Sequence, residues 1–282
     1  MSTMNLLLSL LTALFGSLIA LFVAGISQAG FPYPLTILKW RLFAAALVFY
    51  GLTLASKRKP PASLPWKVLL FHGLVPTFAA MLLFFYSICI GTPPGLATFL
   101  FYLFPVSNML WGRLFLSELP TTRAWAALGL SVAGLFLLLW QKPDASTAGV
   151  VSAFMAGNLF GLGVVCHRWY KLRGLSTRVI NFHVFMTGAL AAIILDAAFL
   201  YTRANPYGLS GTIELTIPVV WNFTGLILLG TVLFFSLLSH VSGRIENYLL
   251  SIVLTLEPAL TTILSVTSVQ NRNYLAGCPY IR

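Results

Sequence analysis

Glu257 and Pro258 are adjacent in an apolar run that extends over residues 248–266 and contains no other charged residue. An ionised carboxylate in hydrocarbon is costly, and a proline removes one hydrogen bond from a helix. A carboxylate at such a point has three uses: it binds the ammonium group of a solute, it takes up and releases a proton, or it stabilises the ends of an interrupted helix. The sequence leaves all three open and makes Glu257 and Pro258 the first site candidates.

A second proline interrupts another apolar run, at residues 94–116. Polar and helix-bending residues recur on one helical stripe of this run, at Tyr102, Pro105, Asn108 and Gly112. A lipid-facing asparagine would lack a hydrogen-bond partner, so this stripe is expected to face the protein interior. The same argument is weaker for Asn158 and Asn222, which are also candidates for the lining of a cavity.

Arg41 lies early in the second apolar run and is expected either to face inward or to reach the headgroups. If it faces inward, it pairs with a carboxylate, for which Asp196 is a conceivable partner, or donates to backbone carbonyls. Lys39 is expected to extend to the headgroups. His183 is a candidate proton relay together with Glu257, although the sequence assigns it no acidic partner. His72 and His240 are expected at the membrane interface.

Composition identifies the class of protein that these residues belong to. Of the 282 residues, 59% are hydrophobic and only 8% are charged, with a mean hydropathy of +0.91. A soluble domain has about 25% charged residues, so this chain is expected to be an integral membrane protein. The formal net charge of +11 comes from basic residues in short loops, which is typical of membrane topology and does not indicate a nucleic-acid partner.

Catalytic and metal-binding motifs are not found. The three cysteines form no CxxC pair, and the chain has no HExxH, GxSxG or P-loop motif. We therefore expect no catalytic residues, no metal and no cofactor, and an intramembrane enzyme is a less favoured alternative.

Apolar runs of about 20 residues, the length a bilayer requires, recur along the chain. They predict an all-α polytopic protein with nine transmembrane helices at 4–26, 34–56, 67–89, 94–116, 122–141, 148–170, 179–202, 218–240 and 247–268. Lysine and arginine are concentrated in the loops on one side, which predicts a cytoplasmic N-terminus and, with nine spans, an external C-terminus. The protein is expected in the inner or plasma membrane.

Two pairs of segments suggest an internal repeat. Residues 96–112 align with 249–265, placing Pro105 over Pro258, and residues 35–49 align with 177–191, placing Arg41 over His183. With five spans in the first half, the second half inserts upside down, as in the inverted repeats of secondary transporters. The predicted divisions are a first repeat at 1–141, an incomplete second repeat at 142–268 and a polar tail at 269–282.

These segments resemble the EamA family of the drug/metabolite transporter superfamily. The matching features are Arg41 in the second span, Pro105 within the fourth, Glu118 at its end, and the triplet Leu256, Glu257 and Pro258 in the ninth. The resemblance implies ten helices in two inverted five-helix halves around a central cavity. It also implies transport of amino acids, other small metabolites or drugs.

The chain departs from that family pattern after the ninth span, because the last residues are too polar and too short to form a tenth. A truncated or frame-altered product and a nine-helix variant completed by a partner both remain open, as does an inactive membrane subunit. We expect a carrier that moves an amino acid or related solute by alternating access, with export favoured. The expected partners are that solute and the lipid bilayer, with a homodimer as an alternative.

Overall fold

The computed structural model of the protein describes residues 3–56, 64–119, 121–122, 125–126, 129–130, 133–134, 145–202, 204–205 and 208–267. Within these residues every regular element is a helix and there is no strand. Seven helical segments are long and apolar enough to cross a membrane, and one of them, Pro94–Leu116, is interrupted within the segment. An all-helical protein with several membrane-spanning helices is therefore confirmed.

The helices begin and end near the predicted positions. In chain order they are α1 (Thr3–Gln28), α2 (Pro34–Leu54), α3 (Trp66–Cys89), α4 (Pro94–Phe101), α5 (Phe104–Leu116), α6 (Thr147–Leu172), α7 (Thr177–Thr202), α8 (Ile217–Val241), α9 (Asn247–Leu254) and α10 (Leu256–Thr267). The predicted fifth span, 122–141, and the tail, 269–282, lie mostly or wholly outside the described residues.

Proline sets the interruptions in the two broken spans. Its ring clashes with the carbonyl of the residue four positions earlier, so a regular helix tends to stop there. Helix α4 ends at Phe101, four residues before Pro105, and α9 ends at Leu254, four residues before Pro258. The predicted mid-span interruptions are thus confirmed, and the ninth predicted span is two short helices rather than one long helix.

Two other helices contain a π-helical segment. In α3 this segment is Gly73–Ala79, which includes Pro76 and begins directly after His72, four residues before that proline. In α8 the segment is Leu228–Leu233, which contains no proline. Because π-helical turns shift the hydrogen-bond pattern, they present backbone carbonyls and side chains to neighbouring helices in directions that an α-helix does not allow.

Helix packing crosses the two halves of the chain. Helix α2 packs along α7, with Phe49 stacked on Phe185 at a ring-centroid distance of 5.6 Å. Helix α4 packs against α10, while α5 packs against α9, so the two broken spans run antiparallel with their breaks side by side. Helix α1 covers α8 and α10, and α6 covers α3, α4 and α5. Residues from all these helices except α10 share one apolar core.

Candidate functional site

Glu257 lies where the two broken spans cross. Its carboxylate is fully buried, and the hydroxyl of Tyr102, which follows the last residue of α4, donates a hydrogen bond to Glu257 Oε2. Oε1 is buried and has no hydrogen-bond partner among the described residues. One carboxylate oxygen is therefore anchored while the other remains available to a proton or to a hydrogen-bond donor of a ligand.

A narrow cavity borders Tyr102, the hydrogen-bond donor to Glu257. Its volume is about 10 Å³, close to the smallest void that accommodates a water molecule. The lining is mainly apolar and aromatic and includes Tyr102, Phe84, Phe101, Phe160 and Met81. Small-molecule sites usually occupy 300–1,000 Å³, so a solute reaches Glu257 only after the surrounding helices move apart.

Helix α1 closes the other side of the carboxylate. A Cβ atom on Gly16 would overlap the Glu257 carboxyl group, so the glycine makes room for the acid. One residue later, the carbonyl of Ser17 accepts a hydrogen bond of 3.0 Å from Thr261 on α10. Together these contacts fix α10 against α1 and hold the carboxylate at the helix break.

The break near Pro105 is closed by helix α6. A Cβ atom on Gly157 would overlap the carbonyl of Phe101, so α6 approaches the backbone at the end of α4 directly. The hydroxyl of Ser107 donates to Asn158 Oδ1 on α6. Pro105 and Asn108 are buried. The stripe formed by Tyr102, Pro105, Asn108 and Gly112 therefore faces the protein interior, as the sequence predicts, and α6 covers it.

Arg41 is buried on α2, with 1% of its surface exposed. Its Nε donates to Thr231 Oγ1 at 2.7 Å and its Nη2 to the Gly230 carbonyl at 3.2 Å, both in the π-helical segment of α8. The guanidinium also contacts Met81 Sδ at 3.5 Å, and Met81 lines the cavity beside Tyr102. Arg41 is in neither of the two ion pairs formed by the described residues, and its oxygen acceptors there are an uncharged hydroxyl and an uncharged backbone carbonyl.

Lys39 pairs with Asp196 on α7, which in turn accepts a hydrogen bond from Ser210. Asp196, the conceivable partner of Arg41, therefore pairs with Lys39 instead. This pair lines a second cavity of about 820 Å³ at the start of α2 and the end of α7. Neither Glu257 nor Tyr102 lines that larger cavity, and its charged groups already satisfy each other.

Two comparisons, one of sequence and one of structure, relate this chain to known proteins. Residues 3–140 match the model of the EamA-like transporter family. The chain belongs to the EamA-like transporter family. A protein of solved crystal structure aligns over 99% of this chain and 94% of its own length with a TM-score of 0.72 and 18% sequence identity. At this identity the alignment shows a shared fold. Among curated proteins, no sequence matches this chain.

Two residues of this EamA-family protein that the sequence marks as site candidates, Asn222 and His183, do not contact Glu257 or Tyr102. Asn222 donates from Nδ2 to the Pro218 carbonyl of its own helix at 2.8 Å and faces Gly25 of α1. His183 is half-buried, and its ring contacts the neighbouring Phe182. Among the described residues, His183 makes no hydrogen bond, so nothing in this arrangement connects it to Glu257.

Sequence reasoning missed a buried polar cluster in this family member. His72 was expected at the membrane interface but is 2% exposed, and it lies beside His167, which was not singled out. His167 is 1% exposed, and the two ring centroids are 4.8 Å apart. His72 is four residues before Pro76, and a proline at this spacing indicates an irregular helix around His72. No comparable feature of the sequence marks His167.

Proposed function

We propose that this EamA-family chain is a secondary carrier of a small organic solute, with an amino acid or related metabolite as the favoured class and export as the favoured direction. The observation that carries the proposal is Glu257, a buried carboxylate at the junction of two broken helices. Tyr102 holds one of its oxygens, and the other has no hydrogen-bond partner among the described residues. Interrupted helices in the membrane are typical of transporters, where they bind the transported species.

The two halves are proposed to be inverted repeats. Three kinds of equivalent feature support this: the breaks before Pro105 and Pro258, the π-helical segments in α3 and α8, and the covering helices α6 and α1. The members of each pair are five predicted spans apart. The first span (α1) corresponds to the sixth (α6), the third (α3) to the eighth (α8), and the fourth (α4 and α5) to the ninth (α9 and α10). Antiparallel packing of the broken spans fits a two-fold axis in the membrane plane.

Alternating access is proposed as the mechanism. The cavity of about 10 Å³ beside Tyr102 is too small for an organic solute, so this conformation is closed around Glu257. The breaks of α4–α5 and α9–α10 lie side by side and give each broken span two short segments that tilt separately. Opening toward either membrane face then requires movement of one segment against α1 or α6.

Glu257 and Arg41 are proposed to provide the opposite charges that bind the two charged ends of an amino acid. Met81 contacts the Arg41 guanidinium and lines the cavity beside Tyr102. Once that cavity opens, an ammonium group has Glu257 as its acceptor and a carboxylate has Arg41 as its donor, which is the reason for favouring an amino acid. The cytoplasmic N-terminus, an inner or plasma membrane location and transport rather than catalysis are parts of the same proposal.

The proposal is tested by flux into proteoliposomes, with each of the standard amino acids as a labelled solute. The protein is compared with Glu257→Gln and with Glu246→Gln, a matched change of an exposed acid. We expect Glu257→Gln to lower flux roughly tenfold or more, because a hydrogen bond to a charged group contributes about 1.5–3 kcal/mol. Glu246→Gln should transport normally. Full flux in Glu257→Gln at every pH would contradict the proposed role of Glu257.

A further inference from the structure

His72, His167 and Tyr170 form a buried cluster between α3 and α6, away from the helix breaks. The side chains are 2%, 1% and 0% exposed, and the His72 ring stacks on Tyr170 at a centroid distance of 5.8 Å. Three polar atoms of this cluster have no hydrogen-bond partner among the described residues: His72 Nδ1, His167 Nε2 and Tyr170 Oη. Such unpartnered atoms are unusual in one buried cluster and point to a functional site.

A chain of hydrogen bonds fixes the tautomer of His167. Asn181 Nδ2 donates to the Phe235 carbonyl at 3.3 Å, so its Oδ1 faces Ser239 and accepts the Ser239 hydroxyl proton at 3.3 Å. Ser239 Oγ lies 3.1 Å from His167 Nδ1 and has already donated its only proton. His167 Nδ1 therefore carries the ring proton and donates it to Ser239. The unpartnered Nε2 of the neutral ring is then a bare lone pair.

Within the part of the chain that the structure describes, the surroundings of this lone pair provide no counter-charge for an imidazolium. Among the described residues, no aspartate or glutamate joins His72 and His167 in a cluster. Lys171 on the same helix interacts electrostatically with His167, and α7 and α8 contribute the uncharged Asn181 and Ser239. The other titratable or charged groups of the packed elements are Tyr170 and Cys166 on α6, His240 and Arg244 near the end of α8, and the pair formed by Arg168 and Glu118.

We propose that His167 Nε2, beside His72, is a proton-binding site, and that a proton bound there opens the end of the protein at which α3, α6 and α8 meet. This inference rests on the proposed alternating-access function. In the closed arrangement an added proton would be a buried charge with cationic neighbours, which is strongly unfavourable. Separation of α3 and α8 from α6 admits water to the imidazolium and removes that cost. Proton binding and opening therefore favour each other.

The same end of the protein is held closed by Arg168, the residue after His167. Its Nε pairs with Glu118, just beyond the end of α5, and its Nη1 donates to the carbonyls of Ser242 at 3.1 Å and Ile245 at 2.7 Å. One side chain thus joins α6 to the ends of two other spans. Because His167 and Arg168 are consecutive on one helix, a shift of α6 that hydrates the imidazole also pulls on these contacts.

Protonation has opposite consequences at His167 and at Glu257. A proton neutralises Glu257 and makes its buried position less costly, whereas a proton gives His167 a charge. A fall in pH on the side of α6 where Arg168 lies is therefore expected to favour the open state through His167, independently of any solute at Glu257. With the proposed topology, that side is the cytoplasm.

The opening is measured without solute, as a distance between spin labels in lipid nanodiscs. Cysteines replace Lys67 at the start of α3 and Arg244 after α8, both exposed, in a chain whose native cysteines, Cys89, Cys166 and Cys278, are changed to alanine. Between about pH 8 and about pH 5.5, the range in which histidine changes charge, we expect the distance to lengthen by roughly 5 Å or more, the scale of a one-turn helix shift. His167→Gln should keep the short distance at both pH values, while the matched change His183→Gln should behave as the parent chain.

A parent chain whose distance does not change, or a His167→Gln chain that lengthens as much as the parent, would overturn the proposal. Nitrogen-15 NMR of histidine-labelled protein tests protonation without altering the cluster. In the double variant His183→Gln/His240→Gln only two histidine rings remain, and His167 Nε2 should acquire its proton over the same pH range. A ring that stays neutral throughout would also overturn it. Because no solute is used, Glu257→Gln should retain the distance change even if the proposed role of Glu257 is wrong.

Discussion

The two broken spans share a design and differ in what fills the break. In the first, Gly157 of α6 lies against the Phe101 carbonyl, and Ser107 donates to Asn158. In the second, Gly16 of α1 lies against the Glu257 carboxylate rather than against backbone. Both use a covering helix with a glycine at the crossing. The first break is sealed by backbone packing, whereas the second encloses an acid of which one oxygen has no partner in the described part of the chain.

This difference separates structural from chemical roles. An interrupted helix in a membrane leaves backbone groups that must be shielded from lipid, and at the first break α6 packs directly over them. The second break has the same need and additionally buries a titratable group, which is expensive unless it serves a function. We therefore propose that the break near Pro105 contributes mainly stability and that the break near Pro258 carries the solute or proton chemistry.

The largest effect on stability is expected at Gly157. In Gly157→Val the added side chain would overlap the Phe101 carbonyl, and since backbone cannot move aside easily, the cost should be about 1–3 kcal/mol or more. The matched control is Gly51→Ala on α2, where a Cβ meets no atom within 4 Å. Thermal unfolding in detergent should show a marked fall in Tm for the first variant and an unchanged or slightly higher Tm for the second. Equal Tm values would mean that α6 does not seal the first break.

A smaller loss of stability is expected when the hydrogen bond between Tyr102 at the first break and Glu257 at the second is removed. Tyr102→Phe removes the only hydrogen-bond donor to the Glu257 carboxylate among the described residues. A buried polar group left unsatisfied costs about 1–3 kcal/mol, and Glu257→Gln should lessen the effect of the tyrosine change because an uncharged amide is easier to bury alone. Reversible unfolding of the four chains of a double-mutant cycle measures this coupling. Strictly additive effects would show that the bond contributes nothing in the membrane.

The smallest effect is expected from Asn158→Leu. This change removes the bond from Ser107 at the first break, and hydrogen bonds between membrane helices contribute about 0.6 kcal/mol on average. Tm should fall slightly while flux and its pH dependence stay as in the parent chain. If Asn158→Leu instead abolished flux without affecting Tm, the first break would also have a chemical role, and the distinction between the two breaks would be wrong.

The sequence predicts the helices and their interruptions well because both depend on local chemistry. Long apolar runs define the spans, and the clash between a proline and the carbonyl four residues before it locates the ends of α4 and α9. The interior stripe around Asn108 follows equally from the cost of an unpartnered amide in lipid. Thr255 and Thr262 bond back to their own helices, as isolated membrane threonines are expected to do.

Contacts between distant spans are not predictable in this way. Lys39 and Asp196 are 157 residues apart, and only the packing of α2 on α7 brings them together. The π-helical segment of α8 contains no proline. The sequence therefore gives no local signal that the Gly230 carbonyl accepts a hydrogen bond from Arg41. The burial of His167 likewise depends on three helices from separate parts of the chain.

The central claim, that Glu257 is the solute site, is tested most directly by chemical labelling of its carboxyl group. An apolar carbodiimide reacts with protonated acids in hydrocarbon, and mass spectrometry locates the adduct. We predict modification of Glu257 in the membrane-embedded protein, protection of Glu257 by an amino acid that the protein transports, and no protection by one that it does not. Labelling of Glu257 that is equal with and without a transported solute would contradict the claim.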